Sequence, residues 1–242
     1  MLIINADDLG RSPAETDAAL NCFRNGRISS VTAMMFMADS ERAADLAKEH
    51  NLDAGLHLNL NLPYNGNAPL MARESQRRIV RFLSRSRYAV LLYHPGLRHQ
   101  FHEVFRAQME EFIRLYGKLP THIDGHQHRH LCANMLLDGI IPKGLKVRRS
   151  FTFWPGEGGP IYRAYRAGVD TLLRRRYRIT DFFCSLGQCL RNHRLERVLE
   201  MALTANVELM THPVRDDEYS FLLSEKGAAA LRHLRISSYA AL

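Results

Sequence analysis

Apolar and polar positions alternate along this chain in short blocks. Residues 2–6 (LIINA) form an apolar run that ends on Asp7-Asp8. A run of that length bounded by acids predicts a buried strand with polar side chains at its carboxyl end. Ser12 and Pro13 then supply a helix start, Ala18, Ala19, Leu20, Cys22 and Phe23 follow with helical apolar spacing, and Gly26 ends the segment. The unit recurs: a strand at 30–36, an Ala-rich helix at 39–49, a strand at 54–60, a helix at 102–116, a strand at 121–124 and a helix after His130. Further strands are predicted at 145–149, 179–183 and 207–211, with helices between them. Strands alternating with helices predict an α/β fold, a parallel sheet covered by helices. Segments 61–97 and 151–160 break this rhythm with Pro, Gly and aromatic residues. Insertions of that kind form lids or substrate walls.

Bulk composition narrows the class. At 242 residues the chain is long enough for a full core, and residues 1–242 are expected to form one domain. With 46% hydrophobic and 24% charged residues, neither a disordered chain nor a fibrous repeat fits. No apolar stretch approaches the roughly 18 to 20 residues of a membrane span, and the N-terminus meets two acids too early for a signal peptide. A cytoplasmic location follows as the expectation. Cys22, Cys132, Cys184 and Cys189 lack CxxC spacing and read as reduced thiols. The net charge of +8 is concentrated in the arginine-rich stretches 73–87 and 163–178. Without aromatic interleaving or zinc-finger spacing these read as solvated helix faces, and no nucleic-acid partner is expected.

Several residues can carry chemistry. Asp7 and Asp8 stand where parallel α/β folds place their catalytic loops, and a turn there can bring both carboxylates into one pocket. Acids at a helix entry are the plainer reading of the same pair. His57, within GLHLNL, reads alone as a hydrogen-bonded core histidine more readily than as a ligand. In THIDGHQHRHL, however, His122, Asp124, His126, His128 and His130 crowd one strand end, and imidazole with carboxylate is a good donor set for a transition metal. His212, in LMTHP, precedes a proline that restricts it to extended backbone, fixing an imidazole at a strand mouth.

Together, in this order, NADDLG, GLHLNL, THIDGHQHRH and MTHP resemble the YdjC family of carbohydrate deacetylases, which includes chitooligosaccharide deacetylase and hopanoid-associated branches. The resemblance implies a (β/α) barrel, distorted and TIM-like, related to polysaccharide deacetylases. It also implies one divalent metal ion, held by one Asp and two His. Carried over motif by motif, the ligands are Asp8, His57 and His126, Asp7 is the general base and His212 the general acid. Arg148, in KVRRS, resembles a family arginine near the active site, and it is assigned with His128 to substrate binding. The chain departs from familiar members at Leu9, where Phe is usual, in its Arg-rich segment 73–87, and in a shorter C-terminal half.

The implied reaction is hydrolysis of the N-acetyl group of a small N-acetylated sugar. Three protein ligands leave coordination positions for water and a carbonyl oxygen. Ligand softness favours Zn, Mn or Co, whereas the family is often described with Mg. Two alternatives stay open: another metal-dependent hydrolase acting on an anionic substrate, and a non-catalytic glycan-binding barrel. The sugar, the metal and any homo-oligomer are not specified by the sequence.

Overall fold

The computed structural model describes residues 1–154 and 156–242. Pro155, inside the expected wall at 151–160, lies outside the described residues. Six parallel strands form one sheet: β1 (Leu2–Leu9), β2 (Ser30–Ala33), β3 (Ala54–Leu58), β4 (Ile123–Gly125), β5 (Phe182–Ser185) and β6 (Val207–Thr211), in the order β4-β3-β2-β1-β6-β5. The sheet is curled and packed by helices, the distorted α/β barrel that the motifs imply. Every residue of β1 and β6 is buried, as parallel strands covered on both faces require.

The helices are α1 (Pro13–Arg24), α2 (Ser40–Glu49), α3 (Leu70–Leu83), α4 (Arg98–Tyr116), α5 (Ala133–Leu137), α6 (Pro160–Arg176), α7 (Leu186–Arg191), α8 (Leu195–Thr204), α9 (Asp216–Leu223) and α10 (Glu225–Leu231). Segment 61–97, expected as an irregular wall, contains α3. Its Ala72, Ser75, Gln76, Ile79, Phe82 and Leu83 are buried at helical spacing, while Arg77, Arg78 and Arg81 face solvent. The arginine-rich stretch is therefore the solvated face of a helix. The same holds for α6, on which only Val169 and Leu173 are buried. No described helix is long and apolar enough to cross a membrane.

The predicted strand at 145–149 is the main correction to the element pattern. It makes only single-residue bridges, Val147 to Ile123 on one side and Lys146 to Arg178 on the other. These link β4 to the segment before β5 and so join the two edges of the curl. Among the described residues, the backbone–backbone hydrogen bonds of 145–149 go only to Ile123 and Arg178, while the Arg148 side chain turns into the barrel and Arg149 reaches Asp170 and the Asp181 carbonyl. The strand predicted at 30–36 also stops early, at Ala33, because Phe36 takes a left-handed backbone, φ 62°.

The C-terminal segment folds beneath the amino end of the sheet. Leu2 donates to the Arg235 carbonyl at 2.9 Å, and Ser237 donates back to the Leu2 carbonyl at 3.0 Å. This carries Tyr239 into the interior, where it is wholly buried.

Candidate metal centre and active site

The functional side chains gather at the carboxyl ends of β1, β3, β4 and β6. At Asp8 the backbone of β1 turns left-handed, φ 67°, and the pairing with β2 shifts register between Ala6 and Leu9. Neighbouring side chains on a regular strand point to opposite faces. The left-handed residue cancels that alternation, so both carboxylates reach one cavity. A non-glycine residue in this conformation costs on the order of 1 to 3 kcal/mol, a strain that clusters at functional sites.

A second left-handed turn, Gln127 (φ 51°) and His128 (φ 57°), follows β4. It sorts the histidine-rich motif. His126 and His128 line the cavity. His130 turns inward to the Arg148 carbonyl at 3.0 Å, and His122 stacks flat on Tyr239 with ring centroids 3.6 Å apart. Burial pushes both of these inner imidazoles down to about 4, so they sit neutral within the protein. Glycines make room for the two rings: a Cβ on Gly55 would meet the His122 ring at 2.5 Å, and one on Gly125 would meet His130 at 2.9 Å.

The cavity has a volume of about 380 Å³. On its floor Asp8 Oδ1 lies 3.1 Å from His57 Nε2 and 2.9 Å from His126 Nδ1. These three donor atoms converge as a metal-ligand set does. Burial works against the Asp8 charge, but hydrogen bonds from His126 and His57 outweigh it and hold the carboxyl below the usual carboxylate range. The other face of the His57 ring is fixed by Asp124, whose Oδ1 is 2.7 Å from His57 Nδ1. A carboxylate in that position sets the tautomer that leaves Nε2 free as a ligand.

Asp7, His57 and Asp124 also lie close enough to suggest a cation site. That site is already filled by a guanidinium. Arg148 Nη1 and Nη2 each reach an Asp7 oxygen at 2.6 Å, Nη1 reaches Asp124 Oδ2 at 2.6 Å, and Nη2 reaches Glu208 Oε1 at 2.6 Å. Arg148 is wholly buried and does not line the cavity. The expectation that it contacts substrate is thus at odds with its place, behind Asp7 and among three carboxylates.

Asp7 is held further by Asn5 Nδ2 at 2.9 Å and Thr32 Oγ1 at 3.3 Å, both on Oδ1. Among the described residues its Oδ2 meets only Arg148 and keeps a lone pair. His212 lines the same cavity, and Glu218 Oε2 accepts from its backbone N–H at 2.8 Å and from Thr211 Oγ1 at 2.8 Å. His128 sits edge-on to Phe151, centroids 4.5 Å apart. Burial, reinforced by the Arg148 charge, pushes its imidazole well down, leaving a neutral ring at the wall.

The residue-by-residue expectation did not assign roles to Asp124, Glu208, Glu218 or Tyr239. The signal for Glu208 was present: an acid inside the apolar run VELM requires a buried partner.

The sequence pattern described as YdjC-like protein matches residues 1–240. A human protein named carbohydrate deacetylase is 32% identical over 244 residues, spanning 88% of this chain and 74% of its own length. A chitooligosaccharide deacetylase of Yersinia enterocolitica is 32% identical over 132 residues, 54% of this chain and 51% of that protein. A crystal structure from Enterococcus faecalis, named for a proposed cellobiose-phosphate cleavage role, superposes with a TM-score of 0.69 at 20% identity, covering 99% of this chain and 97% of the other; this likeness concerns the fold. On its sequence, the chain belongs to the YdjC-like family.

Proposed function

We propose that the chain is a metal-dependent carbohydrate deacetylase that hydrolyses the N-acetyl group of an amino sugar or a short chitooligosaccharide-like substrate. The observation that carries this reading is the convergence of Asp8 Oδ1, His57 Nε2 and His126 Nδ1 in a cavity that Asp7 and His212 also line. The relatives named carbohydrate deacetylase and chitooligosaccharide deacetylase support the substrate class.

Asp8, His57 and His126 would hold one divalent ion, with Mg and Zn the first candidates and Mn and Co next. When bound, that ion supplies Lewis acidity toward a water and the acetyl carbonyl. Asp7 takes the water proton on Oδ2, its oxygen with one partner. His212 delivers a proton to the departing amine nitrogen, so amide and water become amine and acetate. General acid and base groups each contribute about 100-fold to 10,000-fold. Arg148 orients Asp7, and His128 with Phe151 forms a neutral aromatic wall for the sugar. Residues 1–242 act as one catalytic unit. The buried free thiols Cys22, Cys132, Cys184 and Cys189 fit a reducing, cytoplasmic setting.

Arg11, Arg191 and Arg215 at the cavity wall favour a second reading, a metal-dependent hydrolase of an anionic substrate. Incubation with N,N'-diacetylchitobiose, followed by proton NMR, separates the two. Appearance of free acetate with the matching amine is the expected result. An intact acetamide, with turnover of a phosphoester instead, favours the second.

A further inference from the structure

Arg148 has five N–H donors in one plane, and three carboxylates of the barrel interior surround them. Nε and Nη2 grip Glu208 Oε1 at 2.7 and 2.6 Å. The opposite edge carries Asp7 on Nη1 and Nη2, both at 2.6 Å, and Nη1 also reaches Asp124 Oδ2 at 2.6 Å. Because the guanidinium is planar and rigid, the edge held by Glu208 fixes the direction of the edge that presents Asp7. Asp124 in turn holds His57 at 2.7 Å. One buried cation therefore orients both a proton acceptor and a donor atom of the metal set.

Glu208 is itself held from below. Its Oε2 accepts from the Tyr239 hydroxyl. The Tyr239 ring lies on His122, with planes only 9° apart. The backbone around it is tied by Lys146 Nζ to the Tyr239 carbonyl at 2.5 Å and by Ala240 N–H to Asp53 Oδ2 at 2.9 Å. A continuous line of contacts thus runs from the C-terminal segment, through Glu208 and Arg148, to Asp7.

We infer that Glu208 and Tyr239 are positioning residues of the active site, gripping Arg148 from the closed end of the barrel so that it presents Asp7 in its working orientation. The inference rests on the reading of Asp7 as the proton acceptor. Three carboxylates around one guanidinium leave an excess of negative charge in a buried space. Burial, opposed by Arg148, pushes Glu208 up to about 7, while Arg148 and His57 outweigh burial at Asp124 and hold it below the usual carboxylate range. The ionisable groups facing Glu208 are Arg148 and Tyr239, with Asp124 and Asp7 beyond the guanidinium and His122 beyond Tyr239.

Tyr239→Phe keeps the ring and its stack on His122 and removes only the hydroxyl. Glu208→Gln keeps the shape and removes the charge. The full-length variants, loaded with metal, are compared with the parent for acetate release from N,N'-diacetylchitobiose across pH, for metal binding, and for the Arg148 Nε–H resonance. Loss of orientation predicts kcat lower by about 10-fold to 100-fold with KM and metal affinity nearly unchanged. The pH profile shifts and the Arg148 resonance moves. If Tyr239→Phe does not fold, Glu208→Gln carries the same comparison. Folded variants with parental kcat, pH profile and Arg148 resonance overturn the inference. A parent that releases no acetate from any sugar counts against the deacetylase reading alone, because the Arg148 resonance still reports whether Glu208 and Tyr239 set the guanidinium.

Discussion

Arg148 and Asp7 lie 141 positions apart in the chain yet meet through two parallel hydrogen bonds of 2.6 Å in the interior of the barrel. A bidentate guanidinium–carboxylate pair fixes direction as well as charge. The same guanidinium neutralises Asp124 and Glu208, so its removal strands three carboxylates at once.

Arg148→Met is accordingly expected to destabilise the fold by about 3 to 5 kcal/mol, the usual cost of leaving buried charge without its partner. Arg148→Lys keeps the charge but not the two-pronged geometry. It should fold and lose most of its turnover. Urea unfolding of both variants, with kcat for the second, checks this; parental turnover in Arg148→Lys argues against an orienting role.

Asp124 touches the metal set only through His57. Asp124→Asn should weaken divalent-ion affinity by about 10-fold to 100-fold, the range seen when the carboxylate behind a ligand histidine is lost. Calorimetric titration of metal-depleted protein measures it directly. An unchanged dissociation constant separates Asp124 from the metal site.

Stability should fall in mild acid. His122 and His130 have ordinary values of 6.5 and are pushed down to about 4 by burial. Between those limits the unfolded chain binds more protons than the folded one, so stability rises with pH. The contribution is complete above about 6.5 and is lost as the pH drops through about 4, on the order of 3 kcal/mol for each imidazole. Urea midpoints from about pH 7 to about pH 4.5 should decline, and His130→Gln should flatten the slope. A flat profile in the parent contradicts the neutral, buried assignment.

Packing beneath the site is equally specific. A Cβ on Gly55 would stand 2.5 Å from the His122 ring, which is itself pinned against Tyr239. Gly55→Ala should cost about 1 to 3 kcal/mol through overpacking. Thermal unfolding tests this, and an unchanged midpoint shows that the His122 stack yields freely.

Much of this arrangement was legible in the sequence because apolar runs end directly on the motifs. Asp7, Asp8, His126 and His212 lie where those runs place strand ends, His57 lies within one, and the structure brings all five into one cavity. The histidine-rich motif was less readable. His122 and His130 resemble His126 and His128 in composition, and the left-handed pair Gln127–His128 decides which rings face the cavity. Arg148 was visible as a conspicuous arginine, but its place behind Asp7 depends on pairings with β1, β4 and β6 that no local pattern encodes. The helix α3 was obscured by its arginines, whose helical face emerges only against the buried stripe from Ala72 to Leu83.

The most direct test of the account is acetate release from N,N'-diacetylchitobiose as metal-depleted protein is titrated with Zn or Mg, in the parent and in Asp7→Asn. Turnover is expected to rise until one ion is bound per chain, with Asp7→Asn binding the same single ion while losing nearly all acetate release. Acetate release that ignores metal, or that survives intact in Asp7→Asn, contradicts it.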